Sequence, residues 1–183
     1  MKQQQIEPGK RVGVIVVLTG DGKGKTTAAL GIAVRAVGHR LRVCIIQFMK
    51  ESHLAGEIEG LKWLAPQVEY HPAGVGFRAD EGIPYHEHRD NAQGAIDLAR
   101  EKLREGGCDI LILDEINSAL KLELVDLPQV LELLDIKPVD MHLVLTGRDA
   151  HPDLCALAHT VTEMREVKHA LRQGIEPQVG IDY

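Results

Sequence analysis

Residues Val12 to Leu18 form an apolar, largely β-branched run with no helical spacing. A run of that kind marks a strand covered on both faces, as in a parallel sheet. The segment Gly20-Asp-Gly-Lys-Gly-Lys-Thr-Thr27 follows almost at once. From Lys25 to about Val37, the residues Ala28, Ala29, Leu30, Ile32, Ala33, Val34 and Ala36 then make a largely apolar helix that Gly38 stops. Strand, glycine loop and helix in direct succession commit the chain to an α/β architecture.

The loop has a physical purpose in that setting. Glycines let backbone N–H groups turn toward a phosphate chain, and the helix opening at Lys25 adds its positive dipole end. Lys25 would reach phosphate oxygens, and the Thr26 hydroxyl would hold Mg²⁺. The spacing is unusual. The common phosphate-loop pattern is Gly, four residues, then Gly-Lys-Thr, and counting back from Gly24-Lys25-Thr26 puts Thr19 at the first position. Gly20 comes one residue late.

The remaining pattern alternates. A second strand is expected over Leu41–Phe48, a short helix over Glu57–Leu64 ended by Pro66, and a third strand over Val68–Tyr70. Pro72 to Pro84, with Gly74, Gly76, Gly82 and Phe77, reads as a long loop. Between Glu87 and Glu105, Ala92, Ala95, Ile96, Ala99 and Leu103 recur at helical spacing before Gly106-Gly107. Strands over Ile110–Leu113 and Met141–Thr146 follow. Strands alternating with helices predict a mostly parallel central sheet flanked by helices, and with its glycine loop this resembles the α/β fold of the P-loop NTPases, RecA-like in type.

The strand Ile110-Leu-Ile-Leu113 delivers Asp114 and Glu115 to the carboxyl edge of the sheet, where open α/β sheets bind ligands. Asp114 there either joins Thr26 on a metal or caps the next helix. Glu115 either activates water for ATP hydrolysis or helps bind the magnesium that screens the phosphates. Phe77 either covers a flat ligand or anchors its own loop to the core, and Trp63 reads as core. His86 and His88 flank Glu87, and His151, Cys155 and His159 would share a helical face, yet a zinc site lacks a fourth ligand. Capping or solvated histidines are the better reading.

A length of 183 residues suits one domain, with residues 1–11 as a flexible segment and 12–183 as the folded unit. The net charge of −6, with acids and bases interspersed, argues against nucleic acid and lipid headgroups as partners. Cys44, Cys108 and Cys155 form no close pair and read as reduced and mostly core. With neither a membrane-length apolar run nor a signal sequence, the chain reads as soluble and cytoplasmic.

Several separate segments resemble one family, the P-loop ATP:corrinoid adenosyltransferases of the bacterial cobalamin pathway. Gly20–Thr27 is similar to its shortened phosphate loop, and Val43-Cys-Ile-Ile-Gln-Phe-Met-Lys50 to its second strand. Gly74 to Phe77 falls on its glycine-phenylalanine loop, Leu113-Asp-Glu115 on its acidic strand end and Leu145-Thr-Gly-Arg148 on its next strand end. Val167-Lys-His-Ala170 and Gly180-Ile-Asp-Tyr183 match its closing segment. Two departures stand out: Ala79, where members often carry tryptophan, and a first segment of only Met1 to Lys10, where they carry a longer basic arm.

The resemblance implies transfer of the 5'-deoxyadenosyl group of ATP to the Co(I) of a reduced corrinoid (cob(I)alamin, cobinamide or cobyrinic acid diamide), with release of tripolyphosphate. It implies an ATP site of Gly20, Asp21, Gly22, Lys23, Gly24, Lys25, Thr26 and Thr27 with Gln47, Lys50 and Arg148. Thr26, Asp114 and Glu115 would hold Mg²⁺ or Mn²⁺. Lys25, Thr26, Glu115 and Phe77 would carry the catalysis, with Phe77 displacing the lower axial ligand of cobalt. A homodimer and an electron donor such as a flavoprotein complete the implied partners. Asp114-Glu115 alone would also suit a RecA-like ATPase, while Ala79 and the short arm would suit a non-catalytic carrier.

Overall fold

The computed structural model describes residues 11–49, 56–74 and 82–183. Six strands carry the framework: β1 (Ile15–Thr19), β2 (Val43–Gln47), β3 (Val68–Pro72), β4 (Ile110–Asp114), β5 (His142–Thr146) and β6 (Thr160–Glu163). They form one sheet in the order β3-β2-β4-β5-β1-β6, with every neighbouring pair parallel. The helices are α1 (Lys25–Gly38), α2 (Gly56–Lys62), α3 (Tyr85–Glu105), α4 (Ile116–Lys121), α5 (Leu127–Ile136) and α6 (Pro152–Leu157).

Alternation along each buried strand splits the core in two. Leu111 and Leu113 of β4 face one cluster with Ile96 and Leu103 of α3 and Leu133 of α5. Ile110 and Ile112 face the other, with Ala29 and Ala33 of α1 and Leu61 of α2. The sheet is thus covered on both sides, as its uninterrupted apolar strands require.

The strand order has one consequence for function. β5 lies between β1, which leads into the glycine loop, and β4, which ends in Asp114. This is the RecA-like arrangement, and it sets the glycine loop and Asp114 apart by the width of a strand.

β6 and α5 were not among the elements read from the sequence. β6, Thr-Val-Thr-Glu, is exposed along its whole length and has no apolar face. It is an edge strand held by its ladder to β1 rather than by its own burial. α5 was signalled locally, since Gln129 Oε1 accepts the Asp126 N–H at 2.8 Å in a capping arrangement with Pro128 in the first turn.

Two readings are corrected. Trp63 is not core: it is 88% exposed. α2 is short and buries only Leu61, and a residue two positions on lies about 200° around the axis, toward solvent. Nor do His151, Cys155 and His159 share a helix face. α6 ends at Leu157, His151 Nδ1 accepts the Asp153 N–H at 3.2 Å as its cap, and His159 Nδ1 accepts the Ile15 N–H at 2.9 Å.

Candidate functional site

The site lies where β1, β5, β4 and β2 end. Past β1 the chain turns through Gly20 (φ 93°) and Gly24 (φ 112°), left-handed values that glycine adopts without strain. Lys25 then opens α1, and no side chain caps that end. The first-turn N–H groups of α1 therefore have no helical partner and face the loop mouth, as anion binding requires.

Lys25 is buried, its Nζ donating to Gly20 O at 2.6 Å and Gly22 O at 2.8 Å. Burial is the main force holding its ammonium below the ordinary lysine range. Arg148 adds to that effect, while Glu115, Asp21 and Asp114 oppose it. Asp21, Lys23 and Thr27 are exposed on the rim.

Asp114, 2% exposed, receives three side-chain donors. Thr26 Oγ1 donates at 3.0 Å and Thr146 Oγ1 at 2.6 Å, both to Oδ1, and Gln47 Nε2 donates to Oδ2 at 2.8 Å. The hydroxyl of Tyr70 donates to Gln47 Oε1, which fixes the amide with its NH₂ toward Asp114. Burial pushes the Tyr70 phenol up to about 12, so it stays a donor. The Thr26 hydroxyl and Asp114 carboxylate are hard oxygen ligands side by side, a donor set that fits Mg²⁺.

Glu115 takes a left-handed backbone (φ 64°), its N–H donating to Thr146 Oγ1 at 2.9 Å. Its carboxylate accepts Ser118 Oγ at 2.5 Å, and Ser118 Oγ in turn accepts the Arg148 N–H at 3.1 Å. Gly147 between them (φ 129°) admits no side chain, because a Cβ would stand 2.7 Å from Ser118 N. The Arg148 side chain is exposed.

The model of the family described as ATP:corrinoid adenosyltransferase BtuR/CobO/CobP matches residues 11–183. The chain belongs to this family. It is 38% identical to a corrinoid adenosyltransferase of Escherichia coli, over 93% of this chain and 86% of that protein. It is 37% identical to one of Pseudomonas aeruginosa, covering 93% and 84%, and 37% identical to corrinoid adenosyltransferase CobA of Salmonella typhimurium, covering 93% and 86%. Family members are transferases.

Solved structures agree on the fold alone. The flagellar accessory protein FlaH of Methanocaldococcus jannaschii superposes with a TM-score of 0.58 at 15% identity, over 85% of this chain and 72% of that one. A KaiC-like protein of Pyrococcus horikoshii gives 0.56 at 16% identity, over 84% and 73%. The fold is that of the P-loop NTPases.

Of the residues singled out in the sequence, Gly20 to Thr27, Gln47, Asp114, Glu115 and Arg148 converge at this end of the sheet of the adenosyltransferase. Phe77, Lys50 and Ala79 lie outside the described residues. Tyr70, Thr146 and Ser118 were not anticipated in these roles. Thr146 stood in the matched Leu145-Thr-Gly-Arg148, whereas Tyr70 gave no local signal. Elsewhere, the Cys44, Glu69 and His71 side chains lie close enough to suggest a metal. Lys102 Nζ already holds both Glu69 oxygens, at 2.8 and 3.0 Å, so this is a closed ion cluster over a buried thiol.

Proposed function

We propose that this member of the family transfers the 5'-deoxyadenosyl group of ATP to the Co(I) of a reduced corrinoid, releasing tripolyphosphate. The carrying observation is the loop itself: Lys25 is seated in it and Thr26 is bonded to Asp114 at the end of β4. The cobalt electron pair attacks C5', a Co–C bond forms, the C5'–O5' bond breaks, and cobalt goes from Co(I) to Co(III).

The leaving group takes the electron pair as added charge on a triphosphate, so catalysis amounts to stabilising that charge and aiming C5' at cobalt. The N–H groups of the loop and α1, with the Lys25 ammonium, bind the phosphate oxygens. Thr26 and Asp114 would hold Mg²⁺ or Mn²⁺, a Lewis acid that neutralises phosphate charge. Gln47, oriented by Tyr70, keeps Asp114 turned toward Thr26. The bond from Ser118 to Glu115 favours a positioning role for that carboxylate over activation of water. Lys23 and Arg148 at the rim supply further cationic contacts to ATP, a role also proposed for Lys50.

Phe77 is assigned to the corrin side, where it displaces the lower axial ligand. The enzyme is further proposed to act in the cytoplasm as a homodimer, receiving electrons for Co(II) reduction from a donor such as a flavoprotein. Incubation with ATP and a chemically reduced corrinoid is expected to give a light-sensitive adenosyl product and tripolyphosphate. ADP and phosphate as the only products would overturn the proposal. Phe77→Ala is expected to slow transfer to cobalamin while sparing cobinamide, which has no lower ligand to lose.

A further inference from the structure

The Gly22 peptide is held from both sides. Its N–H donates to Met164 O at 2.7 Å and its carbonyl accepts Lys25 Nζ at 2.8 Å, so the chain just past β6 helps seat the buried ammonium. Met164 N donates in turn to Thr19 O at 2.8 Å, which carries the β1–β6 ladder into the loop. The fit is close: a Cβ on Gly22 would stand 2.8 Å from both Arg165 C and Met164 O. The first half of the glycine loop therefore binds the closing segment, and the second half, with the first turn of α1, is left for an anionic ligand.

A side-chain contact repeats this link at the chain's end. The Lys23 ammonium is paired with Asp182. Asp182 is built into a turn rather than loose: its Oδ2 accepts the Gln178 N–H at 2.8 Å, its own N–H donates to Gln178 O at 2.8 Å, and Gly180 N donates to Tyr183 O at 2.7 Å. The Asp182 side chain is 20% exposed against 50% for Lys23, so the better-ordered partner holds the freer one. The Lys23 ammonium, and next the Gln178 N–H, hold the Asp182 carboxyl below the usual carboxylate range.

We propose that Asp182 is a positioning residue for ATP binding, holding Lys23 at the loop so that its ammonium meets the triphosphate already ordered. Segment 164–183 is then a wall of the nucleotide site. This rests on the reading of the loop as the ATP site. An unpaired lysine at a half-exposed position samples many rotamers, and ordering it would cost binding energy. The opposite sign is equally well defined: if Asp182 merely repelled a polyanion, its removal would tighten ATP binding.

The test is calorimetric titration of Mg·ATP into the full chain and its variants, with a melting midpoint for each. Asp182→Asn, which keeps an acceptor for Gln178 N–H but removes the charge, is expected to weaken ATP binding roughly threefold or more, with kcat at saturating ATP within about twofold of wild type. Asp182→Glu is expected to restore most of the affinity, and Asp182→Asn is expected to add nothing in a Lys23→Ala background. Unchanged or tighter binding by Asp182→Asn, or an undiminished effect without Lys23, overturns the inference. Lys25→Ala binding ATP as well as wild type would instead show that the loop is not the ATP site, and the inference would fall with that reading.

Discussion

Thr26 Oγ1 lies 3.0 Å from Asp114 Oδ1, although the two residues are 88 positions apart and β5 lies between β1, which leads through the glycine loop to Thr26, and β4, which ends in Asp114. Thr146, the last residue of β5, closes the gap by donating to the same oxygen at 2.6 Å. The carboxylate is thus oriented by the strand it reaches across. Asp114→Asn would set an NH₂ group against the hydroxyls or the Gln47 amide that now donate to it. Transfer is expected to fall about 100-fold, with a higher Mg²⁺ concentration for half-maximal rate, read from product formation across a Mg²⁺ series.

Lys25→Ala removes the ammonium proposed above to meet the charge of the departing triphosphate. The expected loss in kcat is on the order of 10²- to 10³-fold. Lys25→Arg is expected to rescue little, because a planar fork does not fit a buried socket made by two carbonyls at 2.6 and 2.8 Å. Steady-state kinetics with saturating corrinoid measures both.

Two glycines of neighbouring segments should respond oppositely to alanine. Gly22→Ala drives a methyl group into Arg165 and Met164 and is expected to weaken ATP binding at least as much as Lys25→Ala. Gly31, exposed on α1, has nothing within 4 Å of an added Cβ. Gly31→Ala is expected to stabilise the protein by about 0.5–1 kcal/mol, a rise of about 1–4 °C in melting midpoint, with activity unchanged. Thermal melts and transfer assays on the pair separate the loop effect from general tolerance.

His142 Nδ1 accepts the Val14 N–H at 3.1 Å, a bond that only the unprotonated nitrogen can accept. Burial, then the Arg11 and Lys137 charges, hold this imidazole below its ordinary value of 6.5, with Asp109 opposing. The unfolded chain therefore takes the proton first. The stabilisation is fully present above that ordinary value and is lost as pH falls from it toward the lower folded value. Urea midpoints are expected to drop between about pH 7 and pH 5.5, and to drop less over the same interval in His142→Gln.

Much of this protein was legible locally. The apolar run before Gly20, the glycines and the alanine-rich face of α1 each state their own conformation, so strand, loop and helix were read close to their observed bounds. The position of Asp114 at the carboxyl edge of the sheet was legible because the apolar run Ile110–Leu113 ends there in acids. Trp63 was misread because one residue cannot reveal which face of a short helix meets the core. β6 gave no signal because its exposed side chains do not stabilise it.

The sequence by itself determined the chemistry on offer: a glycine loop with a lysine, a hydroxyl beside it, carboxylates at a strand end, and the family to which these belong. Only the tertiary structure decided which groups meet. Tyr70 reaches Asp114 through Gln47, Thr146 and Thr26 donate to the same Asp114 oxygen, and Asp182 finds Lys23 at the far end of the chain. Those encounters follow from the order in which parallel strands pair. That order is fixed by long-range hydrogen-bond ladders and two-sided burial, which no stretch of neighbouring residues encodes alone.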